Sequence, residues 1–352
     1  MLKAYYKKQT FRFRKPSGTS RGVLLDKDSL FIIVYDDQIP PKKGIGECSI
    51  IRKLSVDDRP DFEKKLLEVV NSINNYSYWL NEGLNEFPSI KFGLETALKD
   101  LNAETSGILF PSEFTSGERN IPINGLIWMG DFENMYQQIK NKLEQGFRCL
   151  KLKIGAIHFE DELKLLKRIR IDFSERDLEL RVDANGAFKP DDAFEKLEKL
   201  SEFNLHSIEQ PIKKNQWKEM ANLCQVSPVP IALDEELIGI YQQTKIQEML
   251  DAIQPQYIIL KPSLIGGLQK SELFIKEAEK RGIGWWVTSA LESNIGLNVI
   301  AQWVYTLNTE MYQGMGTGQL FTNNIPSPLS IKNAHLNYGD NNEWNFENII
   351  ND

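Results

Sequence analysis

The stretch Leu150-Lys151-Leu152-Lys153-Ile154-Gly155 decides how this chain is read. Two lysines alternate with branched apolar residues. A strand here turns Leu150, Leu152 and Ile154 to one side and Lys151 and Lys153 to the other. On an edge strand the lysines would make a solvated basic face. Inside a parallel barrel, whose strands are apolar on both faces, two ammonium groups are costly unless anions meet them.

Downstream, the anions come at regular intervals. After about residue 118, strand and helix patterns alternate. Candidate strands are Ile121–Trp128, Cys149–Gly155, Leu178–Asn185, Leu205–Ile212, Pro230–Leu237, Tyr257–Ser263, Trp285–Ser289 and Tyr312–Gly316. Amphipathic stretches such as Phe159–Ile171 and Asp191–Leu200 lie between them. Eight strands with helical segments between them specify an α/β fold, a (β/α)7β TIM-like barrel. Active sites of such barrels lie at the C-terminal strand ends. Those ends read Lys151-x-Lys153, Asp183-Ala184-Asn185, Glu209-Gln210-Pro211, Asp234-Glu235-Glu236 and Leu260-Lys261-Pro262.

Asp183 and Glu209 are 26 residues apart (183 to 209), and Glu209 and Asp234 are 25 apart (209 to 234), one β-α unit each. Any one of these carboxylates alone could be a helix cap or a surface ion-pair partner. Three on adjacent strand ends repel one another and rise in pKa unless a cation sits among them. Hard oxygen ligands favour Mg²⁺, with Mn²⁺ as a substitute. Lys153 and Lys261 flank that place from two sides. A neighbouring dication and a second ammonium are expected to lower a lysine pKa and free an amine as base. Proton abstraction next to a carboxylate follows, with the metal bearing the developing negative charge.

Composition bounds the rest. The chain has 352 residues, 41% hydrophobic and 26% charged, with net charge -7. Interspersed signs exclude a nucleic-acid face, and no apolar run approaches the roughly 20 residues of a membrane span. Met1-Leu2-Lys3-Ala4-Tyr5-Tyr6 lacks a signal-peptide core, so a cytoplasmic location is expected. Cys48, Cys149 and Cys224 are scattered and indicate neither disulfides nor a zinc site. Residues 1–118 read as a separate α+β domain: Phe11–Arg14 and Leu30–Tyr35 as strands, Ser17–Gly22 as a flexible loop, and a helix from an N-cap at Ser89 through Leu101. Residues 119–320 are the barrel. Residues 321–352 carry no further barrel unit and are expected to return to the N-terminal domain.

The motifs Lys-x-Lys, Asp-Ala-Asn, Glu-Gln-Pro, Asp-Glu and Leu-Lys-Pro, in this order and spacing, resemble the enolase superfamily, muconate-lactonizing subgroup. The resemblance spans nearly the whole chain, including an N-terminal capping domain over the barrel mouth. It implies Asp183, Glu209 and Asp234 as metal ligands, Lys153 as acid/base and Lys261 facing it across the substrate. Lys151 becomes a supporting positive charge near the substrate carboxylate, and Asn185 a further substrate contact. His158, His206 and His335 do not make the His-Asp dyad of mandelate racemases, and His206 is expected to be structural. Gly314-Met315-Gly316-Thr317-Gly318 lacks the Asp-x-Asp of dipeptide epimerases, and no helix follows with phosphate-loop spacing. Thr288-Ser289-Ala290-Leu291-Glu292-Ser293-Asn294-Ile295-Gly296 resembles the segment of o-succinylbenzoate synthases that binds a succinyl group, with Ser289 as the contact. The resemblance therefore implies a small dicarboxylate substrate and a dehydration in menaquinone biosynthesis. N-acylamino-acid racemase, cycloisomerase and a non-catalytic metal-binding scaffold are the alternatives.

Overall fold

The computed structural model describes residues 1–19, 22–38, 42–155, 158–339 and 343–350. Strands β1 (Leu2–Thr19), β2 (Gly22–Asp36) and β3 (Lys43–Ser49) form an antiparallel sheet in the order β1-β2-β3. Helices α1 (Phe62–Asn71) and α2 (Pro88–Asn102) cover one face. The central strand is buried on both sides. Leu30, Ile32 and Val34 pack under the helices, while Phe31 and Ile33 join a second cluster with Ile295 of the barrel region and Phe321 just past it. Strand β3 lies against α2 because Gly44 and Gly46 have no side chains. A Cβ on Gly46 would come 1.8 Å from Gly93 O, and one on Gly44 2.1 Å from Ala97 O.

Two local expectations change. Ser17, Gly18 and Thr19 pair with Leu24, Val23 and Gly22 and prolong the hairpin. Ser20 and Arg21, the rest of the expected loop, lie outside the described residues. Helix α2 begins at Pro88, so Ser89 sits inside the first turn rather than capping it. Its N–H is satisfied instead by Asp57 Oδ2 at 2.9 Å.

The barrel sheet runs β5 (Gly125–Ile127), β6 (Cys149–Lys153), β7 (Glu179–Asp183), β8 (Ser207–Glu209), β9 (Ile231–Leu233), β10 (Tyr257–Leu260) and β11 (Gly284–Val287), all parallel neighbours. Helices α3 (Phe132–Glu144), α4 (Phe159–Asp172), α5 (Pro190–Ser201), α6 (Trp217–Val226), α7 (Gln243–Ile253), α8 (Leu268–Glu279) and α9 (Asn294–Thr306) alternate with the strands. Leu150, Leu152 and Ile154 belong to the large core, which includes Leu165, Leu166 and Ile169 of α4.

Tyr312–Gly316 forms no strand ladder. It closes the ring by single parallel bridges, Ile123 to Gln313 and Thr288 to Gly314. The Gln313 side chain supplies a bond that a regular ladder would take from backbone, accepting from Val287 N at 2.8 Å. The expected first strand is split. Ile121–Pro122 (β4) pairs with a C-terminal hairpin, β12 (Leu329–Lys332) and β13 (His335–Tyr338), while Gly125–Ile127 enters the barrel. Between the barrel and that hairpin, Phe321 bridges to Phe13 of β1.

Candidate active site

Register brings the first three charged strand ends level. Lys153 is opposite Asp183, and Asp183 is opposite Glu209. Alternation along β6 turns Lys151 and Lys153 inward, as its apolar residues require. The result is a zigzag of opposite charges across the strand ends. Lys153 Nζ pairs with Asp183 Oδ2 (3.0 Å), which also pairs with Lys151 Nζ (3.0 Å). Lys151 continues to Glu209 Oε2; Glu209 Oε1 lies 3.6 Å from Lys261 Nζ, and Lys261 ends the chain on Asp234 Oδ2. All six side chains are 14% exposed or less, so water does little to soften these charges. The structure thus brings all six residues together.

The lysines separate the carboxylates. Among the described residues, Asp183, Glu209 and Asp234 are not gathered around one point as placed. Electrostatics follow the zigzag. Glu209 is pushed up to about 8, by burial first and then by Asp183 beside it. Neither of its oxygens accepts a hydrogen bond among the described residues, although both meet ammonium groups as ion pairs. Burial would raise Asp183 too, but Lys151, then Lys153 and Lys261, hold it far below the usual carboxylate range. Burial would lower Lys261, yet Asp234 and Glu209, then Glu235 and Asp183, hold it well above the usual lysine range. Lys151 is also raised, by Asp183 and Glu209 against its burial. The lowered lysine pKa expected of Lys153 and Lys261 beside a dication belongs to the ion-bound site.

Supporting groups orient the zigzag. Asn185, in the left-handed region at φ 45, accepts from Lys153 Nζ at 2.8 Å and donates to Glu235 Oε1 at 3.1 Å. Gln210 Oε1 accepts from the backbone N–H of Asp234 (3.2 Å) and of Glu236 (3.3 Å), joining two strand ends. Glu235 and Gln210 stood inside the quoted motifs, but nothing in spacing separated them from their neighbours. Ser289 lies past β11, where Thr288 N donates to Leu260 O beside Lys261 (2.9 Å). Its hydroxyl donates to Gly314 O at 3.0 Å and accepts from Thr317 at 2.9 Å. Thr317 was read only as part of a glycine-rich run. His206 sits away from this rim, stacked on Tyr257 (4.9 Å between centroids) and edge-on to Trp286 (5.9 Å).

Comparison with known proteins shows the family of the chain. The family described as Enolase C-terminal domain-like matches residues 134–341. An o-succinylbenzoate synthase of Desulfotalea psychrophila is 46% identical, over 94% of this chain and 97% of that protein. The crystal structure of MenC from Desulfotalea psychrophila superposes with TM-score 0.85 at 42% identity, covering 96% of this chain and 99% of the other. An N-succinyl Arg/Lys racemase of Bacillus cereus superposes with TM-score 0.82 at 18% identity, over 98% of this chain and 96% of that one, a likeness of fold.

Proposed function

Because this chain belongs to the enolase superfamily, we propose that it catalyses the o-succinylbenzoate synthase reaction of menaquinone biosynthesis. The reaction is the syn-dehydration of 2-succinyl-6-hydroxy-2,4-cyclohexadiene-1-carboxylate to 2-succinylbenzoate, which makes the chain a hydro-lyase. The observation that supports it most is the zigzag of three lysines and three carboxylates on strand ends of a chain 46% identical to such a synthase. Residues 1–118 act as the cap, 119–320 as the catalytic barrel and 321–352 as the segment returning to the cap.

Chemistry of this family is metal-dependent, and the residues here fit an ion. Three buried carboxylates supply only oxygen, and both Glu209 oxygens lack a hydrogen bond among the described residues. Asp183, Glu209 and Asp234 would hold Mg²⁺, or Mn²⁺ in its place. Lys151 and Lys261 stand between these carboxylates, so binding an ion requires their ammonium groups to move aside. An ion held there would supply positive charge to stabilise the anion formed next to the substrate carboxylate.

The chain's own residues do the rest. Lys153 removes the α-proton and then gives a proton to the departing hydroxyl, which leaves as water from the same face. Its Nζ is aimed by Asp183 and by Asn185 Oδ1 at 2.8 Å. Lys261, kept charged by Asp234 and Glu209, holds the anionic intermediate electrostatically. Lys151 balances the substrate carboxylate, and Ser289 meets the succinyl end. Among the described residues no helix is long and apolar enough to cross a membrane; the cytoplasm is the proposed location.

The test is to supply the hydroxy-cyclohexadiene dicarboxylate with Mg²⁺ and follow aromatisation by ultraviolet absorbance, with N-succinyl amino acids tested in parallel by polarimetry. Aromatisation is expected to dominate. Fast racemisation with negligible aromatisation would replace this reading by the racemase.

A further inference from the structure

Two buried carboxylates lie outside the zigzag at the barrel rim, and Glu47 ties the cap to it. Alternation along β3 sends Gly44 and Gly46 to α2 and Ile45 and Glu47 to the barrel. Glu47 is wholly buried. Its Oε1 accepts from Ser29 Oγ (2.7 Å) and Ser293 N (2.9 Å); its Oε2 accepts from Ser293 Oγ (2.6 Å), Gly296 N (3.0 Å) and, shared, Ser293 N (3.0 Å). Ser293 is the N-cap of α9, so a cap-domain anion sits at the positive end of a 13-residue barrel helix. On the cap side, buried Lys27 donates to Ser29 Oγ at 2.9 Å and thus reaches Glu47 through one hydroxyl. Glu292, the second carboxylate, accepts from Ala290 N (2.6 Å) and from Ser263 Oγ (2.5 Å). Ala290 follows Ser289, and Ser263 is two residues past Lys261.

Between Ala290 and Glu292, Leu291 is held at φ 64. A bulky residue seldom adopts that conformation, and it persists only where surroundings over-determine it. Leu291 packs on the cap-facing cluster of Phe11, Ile45 and Phe321. Gly296 has no room for a side chain, since a Cβ would lie 2.7 Å from Glu292 and 3.0 Å from Glu47 Oε2.

We infer that Glu47 is a positioning residue: by docking on Ser293 and Gly296 it fixes the turn from Ser289 to Ser293 beside Lys261, so that seating the cap and placing Ser289 are one event. The inference rests on the role proposed above for Ser289. Loss of Glu47 then weakens substrate binding more than the chemical step, which the lysines and acids of the zigzag carry.

The test is Glu47→Gln, which keeps the shape and turns an amide NH₂ toward groups that are themselves donors. KM for the hydroxy-cyclohexadiene dicarboxylate is expected to rise about tenfold or more while kcat stays within about threefold. Backbone amides of residues 290–296 should lose protection from hydrogen exchange, with α6 unchanged. Ser29→Ala removes support on the cap side only and should leave KM close to that of the unmodified protein. Should Glu47→Gln fail to fold, Gly296→Ala strikes the same carboxylates from the barrel side and should raise KM likewise. An unchanged KM in the variant that folds, or an equal rise in Ser29→Ala, overturns the inference. If the unmodified protein does not aromatise the substrate, the functional reading fails, and the exchange comparison still decides whether Glu47 orders the turn.

Discussion

Asp57 gives the cap a pH dependence that can be worked out in advance. Its carboxyl is wholly buried, and Oδ2 accepts from Ser89 N (2.9 Å) and Ser89 Oγ (2.6 Å) in the first turn of α2. Its Oδ1 has no hydrogen-bond partner among the described residues. Burial pushes the group up to about 6 from 3.8, against the pull of the Ser89 bonds. A folded-state pKa above the unfolded one means that the folded chain holds the proton more tightly. Stability from this group is therefore fully present below about pH 4 and is lost as pH rises towards 6. A shift from 3.8 to about 6 corresponds to about 3 kcal/mol in all, of which about 2.5 falls between pH 4 and pH 8. Asp57→Asn keeps a carbonyl oxygen for Ser89 and removes the charge, though its NH₂ has no acceptor, which costs about 1–3 kcal/mol at every pH. The quantity to measure is the difference in unfolding free energy between variant and unmodified protein, by urea titration at several pH values. Whatever its offset, that difference should move by about 2.5 kcal/mol in favour of Asp57→Asn from pH 4 to pH 8. A difference flat with pH would show that Asp57 ionises normally in the fold and would refute the reasoning.

Glu209→Gln removes the middle carboxylate of the zigzag and should weaken Mg²⁺ binding in calorimetry and cut turnover by about two orders of magnitude or more; undiminished activity after EDTA treatment and desalting would count against any ion there. Gly46→Ala places a methyl 1.8 Å from Gly93 O of α2. Such overpacking costs about 1–3 kcal/mol or more, seen as a lower melting temperature. Lys261→Arg keeps the charge and removes an accessible base, so it should retain more dehydration than Lys261→Ala, whereas a racemase would lose one direction of exchange in both.

Much of the fold was legible because the barrel repeats one signal. Lys151 and Lys153 alternate with buried Leu150 and Leu152, and the next four strands lead into a charge, of which register aligns Asp183 and Glu209 with Lys153. Tyr312–Gly316 was not legible as a segment of isolated bridges, because its backbone bonds fall on Gln313 and Gly314 and the Gln313 side chain takes the Val287 amide, which no backbone pattern announces. Ser89 misled because an N-cap preference is local, while Asp57, 32 residues upstream, took the amide. At the site, residue types and order pointed to the six charged groups. The zigzag itself, with lysines between carboxylates rather than beside them, depends on side-chain lengths across three dimensions. Glu47 escaped notice for the same reason. Glu47 lies 246 residues from its partner Ser293, and no short motif spans that distance.

The most direct test of the account is the rate of aromatisation by Lys153→Ala, measured with saturating hydroxy-cyclohexadiene dicarboxylate and Mg²⁺ beside the unmodified protein. Lys153 is proposed to act twice, as base and then as acid, so its loss should reduce kcat by about 10⁴-fold or more while binding of 2-succinylbenzoate persists. A Lys153→Ala variant that binds the product and still aromatises the substrate within about tenfold of the unmodified rate would contradict the account.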